Sequence, residues 1–280
     1  MKFNFTFITL RKLYIYFWFL ALLNIFFSTE NIYAKNFHIN NIEISTPFEI
    51  NFDKNEIIDE GFIKAFEQMI LSIVQTKDKQ KLQYTSLNII KGMVETFSIN
   101  EEKFIDEIYY LSLDVSFNKK KIFNFLQKQN IFPSLLIKKK VFFIPIIIDE
   151  NKNEIFVFSE NNLYNFWNQN IKKYHLLEYV LPTEDLEDFN LIKSNSRNLE
   201  NFEFEEIIKK YNLKNYIILI FFKNNNTVRI INKINLNDQI YLKNLKFDEF
   251  KLENHNEIFM LIENLKNLYE NYWKAKNEIN

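Results

Sequence analysis

The chain has no cysteine, two glycines, four alanines and three arginines among its 280 residues. Without thiols there is no disulfide, thiolate zinc site, iron–sulfur cluster, cysteine nucleophile or lipidated cysteine. A phosphate loop needs two glycines five residues apart, a dinucleotide fingerprint three within six residues, and a nucleophile elbow two around a serine. Gly61 and Gly92 stand too far apart to form any of these. Lysine outnumbers arginine 32 to 3, and asparagine reaches 40. With the abundant Ile and Phe, these are residues of A/T-rich codons, so the skew reads as genomic before structural. The asparagines are therefore not taken as prion-like, nor the lysines as a nucleic-acid footprint. A net charge of −1 agrees, since phosphate binding wants a basic patch or stripe. No nucleic-acid partner is expected.

What is present begins with an address. Lys2, Arg11 and Lys12 precede the mostly apolar run 13–27, and the polar stretch 28–31 leads to Ile32-Tyr33-Ala34. A charged start, an apolar stretch of this length and a small residue at the cut describe a secretory signal peptide, with cleavage after Ala34. A retained membrane anchor is the alternative, given further apolar residues between Phe3 and Leu10. Cleavage would leave 32 cationic and 35 acidic side chains, and a periplasmic location in a Gram-negative bacterium is expected.

Along the remaining chain, apolar alternation predicts strands at 37–52 (broken at Pro47), 109–117, 155–158, 176–181, 216–222 and 239–245. Residues 141–148 form a continuous apolar run, fitting a strand buried on both faces, with pairing expected to be incomplete at Pro145. Three- and four-residue spacing predicts helices at 57–74, 79–94, 162–172 and 202–211, a short one after Asn118, another from Thr183, and a long amphipathic one at 256–276. The expected fold is α+β (α/β-like): a leader at 1–34, an N-terminal α+β module at 35–137, a C-terminal α/β module with a strand meander at 138–250, and a terminal helix at 251–280. The run Lys138-Lys139-Lys140 marks the linker and reads as a solvated turn more readily than as a phosphate site.

The densest acidic group is Glu184, Asp185, Glu187 and Asp188. Carboxylates on one helical turn can hold a hard cation. The same residues behind Thr183 as N-cap also start a helix well, and that structural reading is preferred. His38, His175 and His255 are scattered and give no metal spacing; no cofactor or metal is expected. No complete catalytic motif is present, so no catalytic residue is assigned. Phe156, Phe158, Tyr164, Phe166, Trp167 and Tyr174 could line a pocket, although aromatics at such spacing are more often core. Tyr269, Tyr272 and Trp273 on the terminal helix would dock on a partner if the body of the protein leaves that stripe uncovered.

Several of these segments follow one another in a familiar order. They are Ala65-Phe66 on a helix, the strand Tyr109 to Phe117 before Asn118, the Pro-containing run 141–148, Asn162 to Trp167, and Leu181-Pro182-Thr183-Glu184-Asp185-Leu186-Glu187-Asp188. A helix running into the strand 211–222 completes the series. This order resembles the secreted bacterial domain-of-unknown-function 2066 family over residues 37–235, with Thr183-Glu184 standing where a small residue is expected. More distantly, residues 207–234 resemble the N-terminal domain of TolB-like envelope proteins. The resemblance implies location and architecture rather than chemistry. Taken together, the expectation is an exported, non-catalytic binding or scaffold protein of the envelope with a protein partner. Trp167, Pro182, Asp185, Asp188, Tyr272 and Trp273 are its candidate interaction or motif residues. One alternative is a carboxylate-dependent hydrolase of envelope glycan acting near Glu184 to Asp188. Another is a membrane-tethered form of the binding protein, should the leader be retained.

Overall fold

A computed structural model describes residues 36–169 and 171–279; the leader and its cut lie outside them. The fold is mixed α+β with two sheets. In the first, β1 (Asn36–Pro47), β2 (Val94–Ile105) and β3 (Ile108–Asn118) pair antiparallel in the order β1-β3-β2. Phe37 and Ile39 face the core at odd positions, Ile42 and Ile44 at even ones. A bulge between Ile39 and Ile42 makes the switch: Asn41 takes φ 55° and its N–H bonds to Asp114 Oδ1 at 2.8 Å. Helix α1 (Lys54–Ile73) covers this face with Phe62, Ala65, Phe66, Met69, Ile70 and Ile73, all buried at three- and four-residue steps. Asp53 caps its start by accepting the N–H of Asn55 at 2.8 Å.

The expected helix over 79–94 is instead a 3-10 turn (Thr76–Leu82) and a short α2 (Leu87–Met93). Thr85 breaks the run by turning its hydroxyl back to Leu82 O at 2.8 Å. Strand β2 and its hairpin to β3 carry no sequence signal. The two-residue turn Asp106-Glu107 has both φ values positive, 49° and 61°, a conformation usually announced by Asn-Gly. Helix α3 (Lys119–Lys128) closes the module.

The second sheet grows from β4 (Lys139–Asp149). On one side β7 (Tyr216–Asn224) runs parallel to it and continues through β8 (Thr227–Leu236) to β9 (Gln239–Phe247) as an antiparallel meander. On the other side β6 (Leu177–Val180) pairs parallel with residues 139–142, and β5 (Glu154–Phe156) antiparallel with residues 147–149. Val141, Phe143 and Ile147 face one core under α4 (Asn162–Trp167) and α7 (His255–Lys276). Phe142, Ile144, Ile146 and Ile148 face another under α5 (Leu186–Ser194) and α6 (Glu205–Lys210). A strand covered on both faces reads as a continuous apolar run, which explains residues 141–148.

Pro145 sits in the gap between β6 and β5, as incomplete pairing there requires. A strand residue directs its N–H and C=O to the same side. The Pro145 carbonyl accepts from Asn161 Nδ2 at 3.0 Å in that gap, so the missing N–H also faces away from β7. The ladder to β7 continues through Pro145 opposite Leu219.

The two sheets are tied together by the end of α7. Leu135 N–H bonds to Asn277 O and Ile279 N–H to Pro133 O, both at 2.9 Å, while Ser134 N–H reaches Ile73 O at 2.8 Å. The Lys274 ammonium donates to Leu71 O at 2.6 Å, satisfying an orphan carbonyl at the end of α1. Among the described residues no helix is long and apolar enough to cross a membrane.

Candidate functional site

The acidic segment is engaged in building the fold. Helix α5 starts at Leu186, not Thr183, and its N-cap is Asp185, whose Oδ1 accepts from Glu187 N and Asp188 N at 2.8 and 3.0 Å. Thr183 is held in the preceding extended segment, because its N–H donates to Tyr211 Oη at 2.8 Å. The Pro182 carbonyl accepts from Tyr164 Oη at 2.7 Å. Lys210 from α6 then clamps the turn, with Nζ 2.7 Å from the buried Asp188 Oδ1 and 3.4 Å from Asp185 Oδ2. The amides and Lys210 hold the Asp185 carboxyl below its ordinary range, and the two carboxylates raise Lys210 in turn.

The terminal helix is covered by the body of the protein, so its stripe does not offer a docking face. Trp273 is 2 % exposed and donates Nε1–H to Ile137 O at 2.8 Å; Tyr272 packs on Tyr241, ring centroids 4.4 Å apart. Of the apolar positions that the helical spacing picks out on this helix, Ile262, Leu265 and Trp273 are buried, whereas Phe259, Leu268 and Tyr272 are only partly so. The buried positions of the helix are Ile258, Leu261, Ile262, Leu265, Tyr269 and Trp273, joined by three charged residues, Lys266, Glu270 and Lys274.

Trp167 is the one candidate that leads to an unusual environment. It stacks on Phe143 with centroids 3.8 Å apart and meets Tyr179 edge-on at 5.4 Å. Around it lie most of the buried polar side-chain atoms that lack a hydrogen-bond partner among the described residues: Trp167 Nε1, Tyr179 Oη, Glu270 Oε2 and both ring nitrogens of His175. Buried polar groups are ordinarily paired, so such a concentration marks a place unlike the rest of the interior. Three elements assemble it. Helix α7 contributes Lys266 and Glu270, one turn apart; β6 contributes Tyr179; and the segment between α4 and β6 contributes Tyr174 and His175.

Glu270 anchors this segment through Oε1, which accepts the N–H groups of Leu176 and Leu177, both at 2.8 Å. Glu263 does the same at the rim, accepting from Tyr174 Oη at 2.9 Å. His175 lies between them, Nδ1 at 3.8 Å from Glu270 and Nε2 at 3.9 Å from Glu263, beyond hydrogen-bond reach of either. Burial and the nearby carboxylates push the Tyr179 hydroxyl well above its usual pKa. Burial lowers Lys266, against the raising pull of Glu263 and Glu270. A pocket of about 380 Å³ opens over His175, Tyr179 and Lys266, with Lys138 and Lys172 at its mouth. Among the described residues no group of three or more His, Asp or Glu is arranged to hold a metal ion.

No protein-family model matches the chain, and no curated protein matches it. The site therefore has to be read from its own chemistry. Sequence reasoning missed Lys266, Glu270 and Tyr179 as a group. The available signal was a charged residue directly after each of the core positions 265, 269 and 273.

Proposed function

We propose that the protein is an exported, non-catalytic binding protein of the cell envelope, and that the pocket over His175, Tyr179 and Lys266 is where it receives its ligand. One observation carries this reading: buried polar groups without partners converge beside an open pocket of ligand size. The leader composition supports export, and the order of segments supports kinship with the secreted domain-of-unknown-function family. We set the glycan-hydrolase reading aside, because Asp185 is a helix cap and Asp188 is paired with Lys210.

The test is amide NMR of the mature chain titrated with a fragment library. Shifts confined to residues 171–180 and α7, with every fragment recovered intact, support the reading. Fragments that are turned over, or that leave this region unmoved, count against it. Cell fractionation with mass spectrometry of the N-terminus tests location: a chain starting at Lys35 in the periplasm is expected, and an intact Met1 in the membrane fraction would establish the tethered form instead.

A protein partner is a second reading, supported by β9. This edge strand exposes Ile240 and Leu242, at 75 % and 66 %. A photo-crosslinker at position 242 that captures one envelope protein in cells would support it, and the absence of any adduct would remove it.

A further inference from the structure

The chemistry of the pocket selects among ligands. Lys266 is 2 % exposed, and its ammonium lies 5.7 and 5.9 Å from the ring centres of Trp167 and Tyr179. Among the described residues no carboxylate oxygen comes within 4.0 Å of it. The two nearest acids face other duties: Glu270 Oε1 holds two backbone N–H groups and Glu263 holds Tyr174. A buried ammonium without a counter-ion is costly, and neighbouring aromatic faces offset only part of that cost. Beside it, the Tyr179 hydroxyl is buried with no acceptor, and a His175 ring N–H is likewise without one. Lys266 thus brings positive charge to the pocket floor; the Tyr179 hydroxyl and the His175 ring beside it are unpaired donors closed to solvent, and Glu263 and Glu270 are the neighbouring acids. Lys138 and Lys172 add charge at the mouth, where Glu178 is the opposing acid. At about 380 Å³ the space exceeds what an inorganic ion fills and suits a small organic molecule.

We infer that this pocket binds a small organic oxyanion, a carboxylate or a phosphate ester, with the charged group at Lys266 and Tyr179 and the organic part toward the mouth. The inference rests on the binding-protein reading and narrows it to one ligand chemistry. An acceptor-rich anion supplies the counter-ion that Lys266 lacks and the acceptor that Tyr179 lacks in one step. It also makes the burial of Lys266 intelligible, since an ammonium is a stronger partner for an anion out of water than in it.

Isothermal titration of the mature protein with phenyl phosphate, phenylacetate and neutral benzyl alcohol tests this. At least one of the two anions is expected to bind, with benzyl alcohol weaker by about tenfold or more. The preferred anion then separates a phosphate ester from a carboxylate. Lys266→Met is expected to weaken the anion by about tenfold or more while leaving the thermal midpoint equal or higher, because an apolar chain replaces an unpaired buried charge. Tyr179→Phe keeps the ring and is expected to weaken it about threefold to tenfold, the worth of one hydrogen bond. Benzyl alcohol binding as tightly as the anions, or Lys266→Met binding the anion within about twofold of the parent, overturns the inference. So does silence from both anions at millimolar concentration. Silence from both anions with another fragment still shifting the pocket amides overturns the oxyanion alone, whereas a pocket that no fragment touches removes the binding reading with it.

Discussion

Lys274 gives the contact between the two sheets a measurable signature. Its ammonium is 3 % exposed and donates to Leu71 O at 2.6 Å and more weakly to Val74 O at 3.4 Å. Burial pulls its pKa down from 10.5 to about 8; Glu270 on its own helix pulls the other way, and Lys79 from the first module lowers it further. The sign follows from proton counting. Between pH 8 and 10.5 the folded chain has released this proton while the unfolded chain still holds it, so stability rises with pH across that window. Below pH 8 both states are protonated and the contribution is flat. At about 1.4 kcal/mol per unit, the gain between pH 7 and pH 10 is about 2 to 3 kcal/mol. Other groups titrate in the same range, so the assay is the difference between the parent and Lys274→Met, measured by urea unfolding from pH 7 to 10. The parent is expected to gain on the variant by about 2 to 3 kcal/mol, most steeply above pH 8. At pH 7 the variant trades relief of a buried charge against carbonyls that lose a donor, so the offset there does not bear on the argument. A difference constant to within about 0.5 kcal/mol over the whole range would refute the depressed pKa, and with it the burial of a charged amine between the modules.

The two glycines make an opposed pair. A Cβ on Gly61 would stand 2.5 Å from Leu113 Cδ1 and 3.0 Å from Ile44 Cδ1, so in urea unfolding Gly61→Ala should cost about 0 to 2 kcal/mol net, overpacking of about 1 to 3 kcal/mol offset by about 1 kcal/mol of helix preference. Gly92 has open space around it and lies within α2, so Gly92→Ala should stabilise by about 0.5 to 1 kcal/mol; equal effects at both sites would contradict the helix-against-sheet packing. Asn161 is fully buried, donates to Pro145 O and Phe156 O, and accepts from Leu163 N and Tyr164 N. Asn161→Ala should cost about 2 to 4 kcal/mol. Asn161→Asp should be no milder, because it keeps the cap yet turns an oxygen toward two carbonyls; a harmless aspartate would show that the gap in β4 pairing is not held by this side chain.

The fold was legible wherever one physical pattern acted alone. Alternation gave β3, the continuous run gave β4, and three- and four-residue steps gave α1, because in each case a face meets a core across its whole length. The pattern failed at β2, whose residues are mostly exposed, so that no apolar face writes the strand into the sequence. It failed again at Thr183, where cap chemistry was read correctly but two positions early. Both Thr183 and Asp185 are good N-caps, and the choice between them was made by Tyr211 and Lys210, which arrive from more than twenty residues further along the chain.

The candidate site was hidden for a different reason. Helix α7 carries Leu265-Lys266, Tyr269-Glu270 and Trp273-Lys274, an apolar residue and a charged one repeated every fourth position. On a helix of 3.6 residues per turn this makes two neighbouring columns, and an ordinary amphipathic helix would leave the charged one in water. Here the charged column is covered: by Leu176 and Leu177 at Glu270, by the end of α1 at Lys274, and by Trp167 and Tyr179 at Lys266. Which lysines of 32 are covered depends on packing between distant segments, so composition cannot single them out. The three charges then part company. Glu270 Oε1 and Lys274 are answered by backbone amides and carbonyls, groups that a fold can always supply, while Glu270 Oε2 has no partner among the described residues. Lys266 is met by two aromatic rings and an opening. A chain that needed only stability at this position had an easy remedy in leucine or methionine, which would pack against Trp167 without the cost of a buried charge. The fold offers this ammonium two ring faces and the distant pull of Glu263 and Glu270 but no direct acceptor, and the anion proposed for the pocket would supply one.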